Sequence, residues 1–333
     1  MVAGLRGLRQ ALAVTTLLHS TERPSADLPL GKFEHPEITA KGEERARVRW
    51  EGLKTLWFNT GSLCNIECAN CYIASSPTAD HFAYLAPEDM APFLDEIDGS
   101  VEIAFTGGEP CMNPHFLELS EMALARGHEL LVLTNAMKPM MRPRVREGLL
   151  RLNGAYPGRI TMRVSLDHFS AELHDAERGE GAFAKALPGL DWLAENGLRT
   201  AIAGRAAFAE SEAEAREGYR ALIRARGWNM EADDPMALVL FPEMDGRLDV
   251  PEITVSCWGI LDFDPRTLMC ASSRMVVRRK GSARASVLAC TLLWDDPQFE
   301  LGHTLVEATA DSVPLNHPHC AKFCVLGGAS CSA

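Results

Sequence analysis

Three closely spaced cysteines carry the most specific chemistry in this chain of 333 residues. They lie in Cys64-Asn65-Ile66-Glu67-Cys68-Ala69-Asn70-Cys71-Tyr72, separated by three and then two residues. Thiolates this close on one loop bridge one another poorly, and no fourth protein ligand lies nearby in the sequence. Three such ligands can hold three irons of a [4Fe–4S] cluster and leave the fourth iron open. An open iron is a site for a reaction rather than for electron storage alone. The rival is zinc, which prefers four closed ligands in paired knuckles; the spacing here is not that of a ribbon or finger.

A second stretch bears on the first. Residues 101–105, apolar but for Glu102, read as a strand, and Thr106-Gly107-Gly108-Glu109-Pro110 follows. Glycines suit a loop whose backbone must approach a ligand closely. The C-x3-C-x2-C spacing with Tyr72 beside the last cysteine, together with this Gly-Gly-Glu-Pro loop, resembles the radical S-adenosylmethionine (radical SAM) superfamily. The resemblance implies that Cys64, Cys68 and Cys71 hold a [4Fe–4S] cluster and that Tyr72 contacts SAM. It implies that the backbone of Gly107, Gly108, Glu109 and Pro110 meets the methionyl amine of SAM. It also implies a reaction. An external one-electron reductant of flavodoxin or ferredoxin type reduces the cluster, SAM is cleaved to methionine and a 5′-deoxyadenosyl radical, and that radical takes a hydrogen atom from a substrate.

These residues need a scaffold. Apolar runs at 53–58, 101–106, 129–134, 160–166, 199–204 and 236–241 read as strands covered on both faces. Helical patterns separate them at about 87–97, 114–126, 142–152, 182–196 and 210–226. Pro87-Glu88-Asp89 makes a good first turn, and the helix at 114 also begins with proline. Gly127 and Gly197 fall just past helix ends, where a left-handed cap favours glycine. Such alternation means a parallel sheet, with ligands at the carboxyl ends of its strands. The cysteine loop follows the first strand and Gly-Gly-Glu-Pro follows the second, so both belong to one mouth. The expected fold class is α/β: a partial (β/α)6 radical SAM barrel with a small cysteine-rich C-terminal extension. Residues 1–50 read as an N-terminal helix and irregular leader, 51–250 as the barrel and 251–333 as the extension.

Other strand ends carry polar residues. Asn135 ends strand three, Ser165 and Asp167 end strand four, and Arg205 ends strand five. The resemblance implies that such groups meet the ribose and carboxylate of SAM, and that the segment 241–246 meets its adenine. The plainer alternative is that each satisfies loop backbone. His174-Asp175 with Arg178-Gly179 reads as a structural loop and helix start, although it resembles a segment common in peptide-modifying members.

After residue 250 the alternation stops and cysteines return at Cys257, Cys270, Cys290, Cys320, Cys324 and Cys331. Met275-Val276-Val277, Gly281 and Val287-Leu288 read as a hairpin with a cysteine at each end, its basic run from Arg274 to Arg284 solvated. This part resembles the SPASM and Twitch extensions of radical SAM enzymes, which implies an auxiliary [4Fe–4S] cluster. The full seven-cysteine pattern is not present, so one cluster is expected rather than two. Cys290, Cys320, Cys324 and Cys331 form one quartet, with Cys270 competing for a place and a closed zinc site as the rival. His317 and His319 read as loop contacts and Cys111 as buried packing. Cys257 is the candidate catalytic residue, a thiol that could line the substrate cavity and give up a hydrogen atom.

The bulk numbers narrow the field. A net charge of −12 argues against phosphate-backbone binding as the main task. Eight of the ten cysteines fall in metal-like groups, and a chain of this size needs no disulfide staples, so a reducing cytoplasm is expected. No apolar run reaches transmembrane length; the short run from Ala11 to Leu18 reads as a helix packing on the body. The reading is therefore an oxidoreductase-type radical SAM enzyme acting on a peptide or protein. The alternatives are the same chemistry on a small molecule such as a tetrapyrrole, or a non-enzymatic iron–sulfur electron carrier, for which a Gly-Gly-Glu-Pro loop would have no use.

Overall fold

The computed structural model describes residues 31–206, 208–242 and 249–328. The helix expected over residues 1–20, the adenine contacts expected at 243–246 and the ligand Cys331 lie outside the described residues.

A short strand β1 (Arg47–Val48) precedes the barrel. The barrel then runs β2 (Thr55–Asn59), α1 (Pro87–Asp95), β3 (Glu102–Thr106), α2 (Phe116–Ala125), β4 (Glu129–Thr134), α3 (Pro143–Ala155) and β5 (Ile160–Ser165). It continues through α4 (Ala171–Arg178), α5 (Ala182–Glu195), β6 (Arg199–Ala206), α6 (Glu212–Arg226) and β7 (Leu238–Pro242). All six expected strands are present and pair parallel in chain order, β2 to β7. Gly127 (φ 86°) and Gly197 (φ 66°) take the left-handed conformation expected of them. The sequence pattern missed α4 as a helix of its own; its eight residues carry polar groups on most faces.

Alternation along each strand divides the core. Phe58 pairs with Phe105, and both pack outward under the helices with Leu119, Leu130, Leu149 and Leu190. Their neighbours Trp57 and Ala104 also pair and face the barrel interior with Leu131 and Met275. Period-two exposure of opposite faces makes this division automatic once the register is set. The apolar outer face supplies the burial that holds the helices, about 1.5–3 kcal/mol for each large side chain.

The hairpin expected in the C-terminal third is present, and Lys280 and Arg284 in its basic turn are exposed, but its first strand is not solvated. Strand β8 (Ser273–Val277) is buried throughout and joins the sheet parallel to β2, with Trp57 opposite Met275. It turns back into β9 (Ser286–Leu288), which pairs with β10 (Glu300–Gly302). The sheet therefore has nine strands, and the extension grows from the edge of β2. The hairpin is tied to the segment after the cysteine loop: the Ala83 N–H donates to Arg278 O at 2.8 Å, and Arg278 pairs with Asp89 at 3.0 Å. Met275, Val276 and Val277 are fully buried because they complete the barrel rather than cap it. A short helix α7 (Leu305–Thr309), the strand β11 (Val313–Pro314) and a π-helical turn at Cys320–Val325 follow.

The leader closes on this extension. β1 pairs antiparallel with β11, and Phe33, Ala46 and Val48 share a core with Ile253, Leu268, Leu292, Phe299 and Phe323. Among the described residues, no helix is long and apolar enough to cross a membrane.

Candidate active site

The carboxyl ends of the strands open into a cavity of about 1080 Å³, its open mouth included. Cys64, Cys68 and Cys71 line it, as do Tyr72, Gly107, Gly108, Asn135, Ser165, Asp167 and Arg205. Glu109 and Pro110 are not on its wall. Glu109 turns inward and is 2% exposed. Its carboxylate accepts from the Asn135 N–H and the Thr134 hydroxyl, each at 2.8 Å, and from the Cys111 N–H at 3.2 Å. Burial pushes this carboxyl up, and those three donors counter part of the push. Glu109 thus ties the loop after β3 to the end of β4.

The two motif loops are packed on one another. The Gly108 N–H donates to Gly61 O at 2.8 Å, and the Glu109 N–H donates to Leu63 O at 3.1 Å. A Cβ on Gly108 would sit 2.0 Å from Leu63 O; one on Gly107 (φ 127°) would sit 2.5 Å from Gly61 O. The glycines are required first by this contact between loops, and it in turn presents their backbone at the cavity. Asn135 adds a tie, its side-chain amide donating to Asn65 Oδ1 at 2.9 Å and lying 3.8 Å from Cys64 Sγ. The Tyr72 hydroxyl lies 3.1 Å from Thr106 Oγ1, and its carbonyl accepts from Trp294 Nε1 at 2.5 Å.

A buried charged network braces the cysteine loop from the far side. Arg178 grips both oxygens of Asp167, at 2.6 and 3.0 Å, and Arg205 lies 3.6 Å from the same carboxylate. Burial alone would raise Asp167, but the two guanidinium groups outweigh it and hold the carboxyl below its usual range. Arg205 donates to Asn70 O at 2.8 Å and pairs with Glu177 at 3.6 Å, while Glu177 accepts from the Asn70 amide at 3.0 Å. His174 accepts from the Asp167 N–H at 3.1 Å through Nδ1. Burial first, and Arg178 next, pull it down to about 4, so it is neutral at physiological pH with its proton on Nε2. Asp175 caps α5 by accepting from the Gly181 and Phe183 N–H groups at 2.8 and 2.7 Å. His174 and Asp175 are thus structural, whereas Arg178 lines the cavity.

Arg178, Arg163 and Trp57 belong to the wall and were not among the residues expected there. Arg163 was findable, since it precedes Ser165 by two on β5 and faces the same way. Arg178 was read only as part of the His174–Gly179 segment, as a loop and helix start and not as a wall residue. Cys257 lines neither this cavity nor the one below; the Thr254 N–H donates to its sulfur at 3.4 Å, at the edge of the leader core. Cys111 is buried packing, its thiol pushed well up by burial and Glu109.

A second, small and apolar cavity, partly open to solvent, lies in the extension. Cys270, Cys290, Cys320 and Cys324 all line it. Leu292 and Phe323 line both cavities and form the partition between them. Burial raises Cys270 to about 11 and Cys320 well above the ordinary thiol range. His317 accepts from the His319 N–H at 3.1 Å, a contact within the loop as expected.

Residues 58–208 match the radical SAM superfamily. The chain carries a radical SAM domain. Over 143 residues it is 29% identical to the antilisterial bacteriocin subtilosin biosynthesis protein AlbA of Bacillus subtilis, a match covering 42% of this chain and 30% of AlbA. It is 31% identical to mycofactocin maturase MftC of Mycobacterium ulcerans over 141 residues, 41% of this chain and 36% of MftC. Fe-coproporphyrin III synthase of Methanosarcina barkeri is 30% identical over 148 residues, 44% of this chain and 35% of that protein. The matched stretches span about a third of the length of these relatives. Streptococcus suis SuiB bound to S-adenosylmethionine shares the fold with a TM-score of 0.52 at 14% identity, over 75% of this chain and 63% of SuiB. For anSMEcpe with bound AdoMet the TM-score is 0.55 at 15% identity, over 78% of each chain.

Radical SAM enzymes use a [4Fe–4S] cluster and SAM, and the donor set of this domain fits them. Burial pushes Cys64 up to about 12, with Glu109 and the neighbouring thiols adding to the rise and the Ile66 N–H offsetting part of it. Cys68 is also raised by burial, against the pull of Arg178. Such thiols give up their protons to a metal rather than to water. Among the described residues, no three His, Cys, Asp or Glu side chains converge tightly enough for a single metal ion.

Proposed function

We propose that this chain is a radical SAM enzyme that oxidatively modifies a peptide or protein. The observation that carries the reading is the convergence of all three motif cysteines, the Gly107–Gly108 backbone and four strand-end polar residues on one cavity. When bound, the cluster and SAM supply a 5′-deoxyadenosyl radical that removes a hydrogen atom from the substrate. The protein holds and orients the reactants and excludes water. Cys64, Cys68 and Cys71 hold three irons. The backbone of Gly107 and Gly108 would meet the methionyl amine of SAM, and Tyr72, Asn135 and Ser165 would line its binding site. Asp167 and Arg205 act mainly through Arg178 and Asn70, fixing the loop that carries Cys68 and Cys71.

We assign Cys270, Cys290, Cys320 and Cys324 to an auxiliary [4Fe–4S] cluster. Set one thin apolar wall away, it would accept the electron left on a substrate radical, making the net reaction an oxidation. An external one-electron carrier of flavodoxin or ferredoxin type, in a reducing cytoplasm, would supply the electron that cleaves SAM and take back the one left on the substrate. The peptide assignment is supported by the similarity to AlbA and MftC and by the shared fold with SuiB bound to precursor peptide SuiA, at a TM-score of 0.53. A tetrapyrrole substrate is the second reading, favoured by the similarity to Fe-coproporphyrin III synthase.

The test uses anaerobically purified, cluster-reconstituted protein with dithionite and SAM, following 5′-deoxyadenosine by mass spectrometry. The expected result is formation above a no-enzyme control, abolished by Cys68→Ala. Iron-loaded protein that neither binds SAM nor forms 5′-deoxyadenosine would overturn the reading in favour of an electron carrier. Substrate class is decided by what the protein retains from its host: a small peptide supports the first reading, a coloured tetrapyrrole the second.

A further inference from the structure

Arg274 is fully buried, at 0% exposure, yet it has no acidic partner among the described residues. Its Nε donates to Ala308 O at 2.9 Å, and its Nη1 donates to Cys270 O and Ser273 O, each at 2.7 Å. All three acceptors are neutral carbonyls. Nη2 is buried and makes no hydrogen bond. One face of the guanidinium lies 4.3 Å from the centre of the Trp50 ring. The buried Arg45 and Arg205 differ: Arg45 pairs with Glu252, and Arg205 lies 3.6 Å from both Glu177 and Asp167. A guanidinium keeps its charge, and a buried charge without an opposite one is costly. The Cys270 carbonyl that holds Nη1 belongs to a residue that lines the second cavity together with Cys290, so the guanidinium lies directly behind that cavity's wall.

We propose that Arg274 is the buried counter-ion of the auxiliary cluster, so that its charge is balanced only when iron and thiolates fill the second cavity. The proposal rests on the auxiliary-site reading above. Four thiolates outweigh the positive charge of the iron–sulfur core, and reduction adds one more negative charge. A cation fixed beside the group favours the more negative, reduced form and raises its reduction potential. The same charge is a burden to the protein without iron. Loading and stability are thereby linked through one residue.

The experiment compares wild type, Arg274→Met and Arg274→Lys as full chains, apo and anaerobically reconstituted. Redox titrations are followed by electron paramagnetic resonance, and the auxiliary signal is identified as the one kept by Cys64→Ala/Cys68→Ala/Cys71→Ala. Arg274→Met should lower the auxiliary potential by at least about 59 mV, a tenfold change for one electron. Arg274→Lys should stay near wild type. Apo Arg274→Met should melt at or above wild type, whereas loaded Arg274→Met should melt below it. An unmoved potential with the auxiliary cluster present would overturn the proposal. So would apo Arg274→Met that melts well below wild type or does not fold, since the guanidinium would then be a strut for three carbonyls. A wild-type protein with no second cluster would instead remove the auxiliary-site reading itself, and the proposal with it.

Discussion

Asp167 sits at the end of a strand where a SAM contact is expected, but both of its oxygens are already held by Arg178. Its folded-state acidity follows from that grip: a carboxyl held below its usual range stabilises the protein at pH values above about 4 and loses that contribution as pH falls. Asp167→Asn keeps the shape and removes the charge. Arg205 retains Glu177 at 3.6 Å, but Arg178 is left buried with no carboxylate. We expect apo Asp167→Asn to lose about 3–5 kcal/mol in urea unfolding. The double variant Asp167→Asn/Arg178→Met should recover much of that loss, because it removes the stranded charge as well. A single-variant cost under about 1 kcal/mol, with no coupling in the cycle, would return Asp167 to the role of a direct ligand contact.

At the scale of elements, the decisive contact is loop on loop. The segment Gly61–Leu63 and the pair Gly107–Gly108 approach so closely that Gly108→Ala would drive a methyl into Leu63 O, a rigid backbone atom. The expected outcome is loss of most motif-bound iron, with the far-ultraviolet spectrum of the barrel kept, because the outer core lies elsewhere. Gly154→Ala is the control: a Cβ there meets nothing within 4 Å on α3, and the change should be neutral or stabilise by up to about 1 kcal/mol. Equal iron content in the two variants would show that the loops adjust. The six barrel strands were legible because each is a local apolar run, and the site residues on them follow by period two. β8 was legible as a strand but not as a neighbour of β2, since its pairing joins residues more than 200 apart. For the same reason Arg274 read as part of a solvated basic run.

Among the described residues, the molecule is closed where the leader meets the C-terminal extension. Arg45, fully buried, donates to His35 O at 2.7 Å, Ile38 O at 3.0 Å and Leu315 O at 3.2 Å, and pairs with Glu252 at 2.5 Å. Glu252 in turn accepts from the Phe33 and Ala40 N–H groups at 2.8 and 2.7 Å. One ion pair therefore joins the leader, the segment leaving the barrel and the chain entering the cysteine-bearing turn at 320–325. These strands of chain enclose the core that includes Leu292 and Phe323, the partition between the two cavities. Arg45→Met removes the pair and leaves Glu252 largely buried, a change worth about 3–5 kcal/mol. The barrel does not depend on that pair: its strands, outer helices and motif cysteines are braced by contacts of their own. Iron per chain in anaerobically reconstituted Arg45→Met should fall by the share of the auxiliary cluster, while SAM cleavage to 5′-deoxyadenosine persists. Loss of both iron pools together would mean that barrel and extension fold as a single cooperative unit. Loss of neither would mean that the clasp serves only the leader, and that the second cavity is held by β8 and β9 alone.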